Sequence, residues 1–286
     1  MVQTEGVRNQ LLSLFPSLVM DIVVIKTMGD QRLDVSVGVL GKGVFTKEIE
    51  EALLSGRVDL AVHSLKDLPT ELPHGLSLGA VLEREDPRDC WVSRTKKPLK
   101  ELPTGARVGT GSLRRQAQIR ALRQDLRVDE LRGNLGTRLG RVASGDYDAV
   151  VVAAAGVHRL GRGNEVTDYF DSNTMLSAPA QGCIGVEVRA GDSSTLSWVS
   201  ALNHIPSERA ARAERSFLSG LGGGCRVPIG ALAKESGGKL TLDGLVISAS
   251  GQTLYRGCLE GSPDSPEKIG LSLAENLLSQ GASSLL

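Results

Sequence analysis

The sequence predicts an α/β protein with two hinged lobes built on mixed, mainly parallel sheets, followed by a small C-terminal α+β domain. Three observations predict it. Strand-like and helix-like segments alternate through the first two thirds, which favours parallel pairing. Two Pro-containing stretches, around Pro87 and across Ser177-Ala178-Pro179-Ala180, interrupt that alternation and read as crossings between two lobes. The last third changes character to a polar–apolar helix followed by strands of alternating polarity. The expected division is 1–84 with 183–201 for the first lobe, 85–182 for the second, and 202–286 for the third domain.

In order along the chain, residues 6–14 read as an amphipathic helix. Leu18–Lys26 is rich in β-branched residues and predicts a strand. Gly41-Lys42-Gly43 opens a helix with Thr46 as its N-cap and Gly56 as its stop. Val58–His63 is a short buried strand, and Ser64, Lys66 and Asp67 follow at its C-terminal end, where open α/β sheets hold ligands. The pattern restarts with a strand at 107–109 and a helix at 113–123 capped by Ser112. A strand at 126–131, a helix at 136–143 and the apolar strand 148–155 complete the second lobe. Residues 185–189 return to the first lobe. The third domain begins with a helix at 207–218, followed by antiparallel strands at 240–248 and 253–259 and a closing helix from Ser265 to about Leu278.

Composition narrows the function classes. The formal net charge is zero, so no global attraction to nucleic acid or anionic membrane is indicated. Aromatics are 3%, too few for base-stacking platforms. No apolar run approaches the ~20 residues of a membrane span, and the N-terminus has neither signal-peptide nor transit-peptide character. A cytoplasmic monomer is the expectation, with a processed plastid form as the alternative location. The four cysteines are far apart without a C-x-x-C, which speaks against zinc and against a disulfide framework. Between Glu101 and Ala233 every Lys/Arg position is arginine, sixteen in all, although the flanking segments use lysine. Arginine's planar fork pairs bidentately with carboxylate or phosphate.

Four clusters carry chemistry. Gly222-Gly223-Gly224-Cys225-Arg226 puts a sulfur among glycines beside a cation, which favours the reactive thiolate and leaves room for a bulky group. Thr110-Gly111-Ser112-Leu113-Arg114-Arg115 opens a helix, where free N–H groups bind anions. Two arginines in a first turn oppose the helix dipole and require a compensating anion, either a ligand or a protein carboxylate. Leu131-Arg132-Gly133-Asn134-Leu135-Gly136-Thr137-Arg138 repeats the strand–glycine–helix pattern with two more arginines, and Arg159 adds another to the same edge. Neither loop matches a Walker or dinucleotide fingerprint. His63-Ser64-Leu65-Lys66-Asp67 sets a carboxylate beside an ammonium, suited to stabilising a developing positive charge. Together these sites predict a ligand with many carboxylates or phosphates.

These residues, with Glu83–Asp89, Ala180-Gln181-Gly182 and Gly222–Gly230, resemble porphobilinogen deaminase, also called hydroxymethylbilane synthase, in the family's order and over essentially the whole chain. The resemblance implies two lobes of the type II periplasmic-binding-protein kind and a transferase that joins porphobilinogen units head to tail with loss of ammonia. It implies a dipyrromethane primer bound by a thioether to Cys225, and Asp67 as the catalytic aspartate. Arg132 and Arg138 are carried over as catalytic and cofactor-binding residues. Lys66, Ser64, Thr110, Ser112, Arg114, Arg115, Gly133 and Gln181 are carried over to the cofactor, and Lys42 and Arg159 to the substrate. The family's opening strand, with its Arg-x-Ser segment, has no counterpart before the first helix, so the first lobe is expected to lack that strand. A rival reading, a two-lobed anion-binding protein without catalysis, accounts for the arginine sites but gives no reason for Cys225 or a third domain. An RNA-binding role suggested by the arginines is opposed by the zero net charge and few aromatics.

Overall fold

The structure is a computed structural model that describes residues 1–27, 46–222 and 227–286. The first helix, α1 (Val2–Leu14), begins earlier than expected and buries Val7 and Leu11. The strand expected at 18–26 does not form. Val19 is 92% exposed and Val23 and Val24 are also exposed. The β preference of such residues comes from cross-strand packing, and here no described strand pairs with them. Helix α2 (Lys47–Leu54) follows Thr46 and is stopped by Gly56, whose φ is +73.

Strand β1 (Leu60–Ser64) runs directly into a single 3-10 turn, Leu65–Asp67. Next come β2 (Leu76–Val81), β3 (Asp89–Ser93) and β4 (Arg107–Gly109). Helix α3 (Leu113–Leu122), β5 (Arg127–Asp129), α4 (Leu135–Ala143), β6 (Ala149–Ala153), α5 (Ala154–Arg159) and β7 (Asp168–Tyr169) complete the second lobe. Its sheet has the order β5-β4-β6-β3-β7. Strand β4 lies parallel to both β5 and β6, and β3 lies antiparallel to β6 and β7.

Strand β8 (Ile184–Arg189) returns to the first lobe, as the sequence suggests, and sits antiparallel between β1 and β2. Strands β3 and β8 each follow a crossing, so each enters its sheet against the direction of its neighbours. The lobes are therefore mixed α/β, with parallel pairing among the described residues concentrated where helices alternate with strands. Trp91, Val108, Ile119 and Val151 form part of the second lobe's core, and Val7, Leu11, Val186 and Val188 part of the first's.

After the short helix α6 (Ser193–Val199), α7 (Ile205–Gly220) leads into the third domain. There β9 (Ile229–Ser236), β10 (Lys239–Ile247) and β11 (Leu254–Gly261) form an antiparallel sheet covered by α7 and α8 (Pro266–Ser279). Phe217, Leu240, Leu242, Leu273 and Leu277 are its core. The two helices touch closely enough that a Cβ at Gly270 would collide with the Ala213 carbonyl. Among the described residues no helix is long and apolar enough to cross a membrane.

Candidate active site

The turn after β1 carries the first functional group. Leu65 and Leu68 are 0% and 4% exposed and anchor it from below, while Asp67 between them faces outward. Lys66 turns back into the protein, where its Nζ donates to Gln181 Oε1 at 3.4 Å. Burial draws its pKa down to about 8, Asp67 opposes that shift, and Arg115 adds to it. Part of the Lys66 side chain still reaches solvent, so the penalty falls on the inward-pointing ammonium. The Ser64 hydroxyl is engaged with Gln3 of α1, accepting from Nε2 at 2.8 Å. Gln3 was not foreseen from sequence, because no local pattern links it to Ser64.

The β4–α3 junction supplies the second cluster. Ser112 caps α3 by accepting from the Arg115 backbone N–H at 3.4 Å. The anion that the two first-turn arginines require is Asp89, the fully buried first residue of β3. Arg114 Nη1 donates to Asp89 Oδ2 at 2.6 Å, and Arg115 Nε and Nη2 donate to Oδ1 at 3.0 and 2.8 Å. Gln181 Nε2 adds a fourth hydrogen bond to the carboxylate, at Oδ1, at 2.8 Å. Burial alone would raise the Asp89 carboxyl, but the two guanidinium groups outweigh it and hold it well below the usual carboxylate range. Thr110, 1% exposed, accepts from the Ser112 N–H at 3.3 Å and shapes the same turn. The two arginines are thus bound to a protein carboxylate, and Gln181 links them to Lys66 across the lobes.

The β5–α4 loop supplies the third. Asn134 caps α4 by accepting from the Thr137 N–H at 2.9 Å, and Gly133 holds a φ of +101 that favours glycine. Arg138 Nε donates to the Gly133 carbonyl at 2.8 Å. Burial lowers the Arg138 pKa, Arg115 and Arg132 lower it further, and Asp67 opposes them. Arg132 pairs with Glu130 at 2.7 Å. Arg159 donates to the Gly182 carbonyl at 2.6 Å, and burial lowers its pKa against the pull of Glu85. An open groove beside Arg132 also contains Arg107 and Arg141. Both are paired, with Asp129 and Asp146, so the groove offers no surplus charge.

Lys66, Asp67, Arg115, Arg132 and Arg138 therefore share one electrostatic neighbourhood, with Gln181, Asp89 and Arg114 behind it. Thr110, Ser112 and Gly133 shape the surrounding turns, and Ser64 ties the end of β1 to α1 through Gln3. Arg159 lies on the crossing side, against Gly182. Lys42 and Cys225 lie outside the described residues.

Comparison with known proteins matches this layout to one family. The model described as porphobilinogen deaminase, dipyromethane cofactor binding domain, matches residues 1–197, and that of the porphobilinogen deaminase C-terminal domain matches residues 209–279. The chain belongs to the porphobilinogen deaminase family. It is 47% identical over 285 residues to porphobilinogen deaminase of Syntrophobacter fumaroxidans, covering 99% of this chain and 92% of that one. It is 46% identical over 287 residues to that of Thermus thermophilus, covering 100% and 94%. Among solved structures it is similar to the VFT2 domain of Bordetella pertussis BvgS, with 20% identity, a TM-score of 0.41, and coverage of 75% and 82%.

The described residues fit a polycarboxylate pyrrole cofactor. Arg138 is partly buried near two further arginines, and its direct hydrogen bond goes to a carbonyl rather than a carboxylate. Lys66 is likewise held by an amide oxygen. Partly buried cations in this state gain most from ligand carboxylates, because the desolvation cost is already met by the fold.

Proposed function

We propose that the chain condenses porphobilinogen units head to tail, with loss of one ammonia per addition, into the linear tetrapyrrole hydroxymethylbilane. It is a transferase of porphyrin and heme biosynthesis, acting as a cytoplasmic monomer, with lobes at 1–84 plus 183–201 and at 85–182 and a third domain at 202–286. The dipyrromethane held as a thioether by Cys225 supplies, when bound, the pyrrole terminus to which the chain is added.

Among the described residues Asp67, exposed on the turn that follows β1, is a carboxylate whose charge bears on both Lys66 and Arg138, and that observation carries the reading. Its carboxylate accepts hydrogen bonds from pyrrole N–H groups. It also offsets the positive charge that develops on the porphobilinogen methylene carbon as the C–N bond breaks and ammonia departs. A fixed anion lowers that barrier because it is in place before the charge appears. Lys66, Arg132 and Arg138 bind acetate and propionate groups and hold the reacting carbons in register. Arg132 and Arg138 also assist proton handling near the leaving amine. Lys42 and Arg159 take carboxylates of the incoming porphobilinogen. Gln181, tied to Asp89 together with Arg114 and Arg115, holds Lys66 in place, and Arg115 contributes positive potential toward the same carboxylates. Thr110, Ser112 and Gly133 fix the turns on which these groups stand, and Ser64 fastens the end of β1 to α1.

The test is Asp67→Asn. It keeps the shape and removes the charge, so substrate should still bind while turnover falls by roughly 100-fold or more. Turnover at the parental rate would defeat this reading.

A further inference from the structure

The turn bearing Asp67 is held from outside its own lobe. Arg215, on α7, reaches across from the third domain to the backbone that follows the aspartate. Its Nη1 donates to the Leu68 carbonyl at 2.9 Å and to Leu65 at 3.4 Å. Its Nη2 donates to the Pro69 carbonyl at 2.5 Å and to Thr70 at 3.3 Å. Among the described residues no backbone N–H reaches the carbonyls of Leu68, Pro69 or Thr70, and no carboxylate pairs with Arg215. Both terminal nitrogens are therefore spent on one stretch of chain.

The base of this clamp is rigid. The preceding residue, Glu214, is fully buried and accepts from Arg84 Nη1 at 2.6 Å and from the Ala180 and Ala233 N–H groups at 2.5 and 2.7 Å. Helix α7 is thereby fixed to the first lobe, the second crossing and β9 at the position from which Arg215 extends. The segment carrying Cys225 leaves the C-terminal end of the same helix.

We propose that Arg215 is a positioning residue for the reaction: it sets the turn that aims Asp67, and so ties the placement of the catalytic carboxylate to the domain that anchors the growing chain. This rests on the role given to Asp67 above. A short turn ending in Leu-Pro has few hydrogen bonds of its own to define it. A guanidinium spanning four carbonyls removes that freedom, whereas an ammonium cannot reproduce the fork.

The experiment compares Arg215→Gln, Arg215→Lys and Asp67→Asn with the parent. It measures kcat, KM, primer content by intact mass, Tm and amide hydrogen exchange of residues 65–70. The expected result for both Arg215 variants is a kcat lowered about 10- to 100-fold with KM within about twofold, full primer content, and faster exchange in the turn. Guanidinium added at millimolar concentration should restore part of the kcat of Arg215→Gln. Parental kcat in the Arg215 variants, with Asp67→Asn inactive, overturns this proposal and leaves the role of Asp67 standing. An active Asp67→Asn overturns that role itself. If Arg215→Gln fails to fold, Arg215→Lys decides: lowered kcat at unchanged KM, Tm and primer content supports the proposal. A loss explained by lower Tm or missing primer overturns it.

Discussion

Asp89→Asn removes a buried charge that two arginines share. The carboxylate is 0% exposed and receives donors from Arg114, Arg115 and Gln181 at 2.6–3.0 Å. An asparagine there can accept through one oxygen only, and its amide N–H groups face a guanidinium. Breaking one side of a buried pair typically costs about 3–5 kcal/mol, because the remaining charge stays buried. For a protein of this size that corresponds to a fall in Tm of roughly 10 °C. The folded pKa of Asp89 is depressed, so its stabilisation is present above the ordinary carboxylate value near ~4 and is lost only as pH falls through the lower folded value. Parent and variant should therefore differ by the same amount at pH ~5 and ~7. The assay is urea unfolding followed by far-UV circular dichroism at those two pH values, on protein with its primer content checked by mass. A midpoint unchanged at both would refute the assignment of Asp89 as the anion that Arg114 and Arg115 need.

Three further outcomes are expected. Bound carboxylate favours charged Lys66, so KM should rise as pH passes the Lys66 pKa of about 8, and Lys66→Arg should flatten that limb; a flat parental profile contradicts it. Glu214→Ala leaves the Arg84 guanidinium, about one tenth exposed, without its partner, and should lower stability by about 3–5 kcal/mol in denaturant unfolding. Gly182→Ala forces a non-glycine residue to a φ of +91 and drives a Cβ into the Glu85 carbonyl, so it should cost at least about 2 kcal/mol, read as a lower Tm with little folded protein at 37 °C as the extreme.

Helix and strand alternation was legible because residues such as those of β6 and α3 obey local periodicity and capping. Ser112 and Asn134 cap the helices that turn chemistry assigns to them. The 18–26 segment failed because its β-branched residues predict a strand only when a neighbour is there to pair. The need for an anion at Arg114 and Arg115 was legible from the helix dipole. Its identity was not, because Asp89 is brought to them by a crossing strand, a long-range event with no local signature. The Glu83–Asp89 motif marked the right stretch without revealing the function of its last residue. Arg215 was hidden for a related reason: it reads in sequence as one more polar position on a helix, and only the packing of the third domain against the first lobe gives it the Asp67 turn.

The central claim is that Cys225 tethers the chain that Asp67 extends, and intact mass tests it most directly. Protein exposed to porphobilinogen should exceed its sequence mass by one dipyrrole unit, gain further pyrrole increments during turnover, and return to the primer-loaded mass on product release. Cys225→Ser should remain at its sequence mass. A parent that turns over at its unmodified mass, or a serine variant that carries the adduct, would contradict the account.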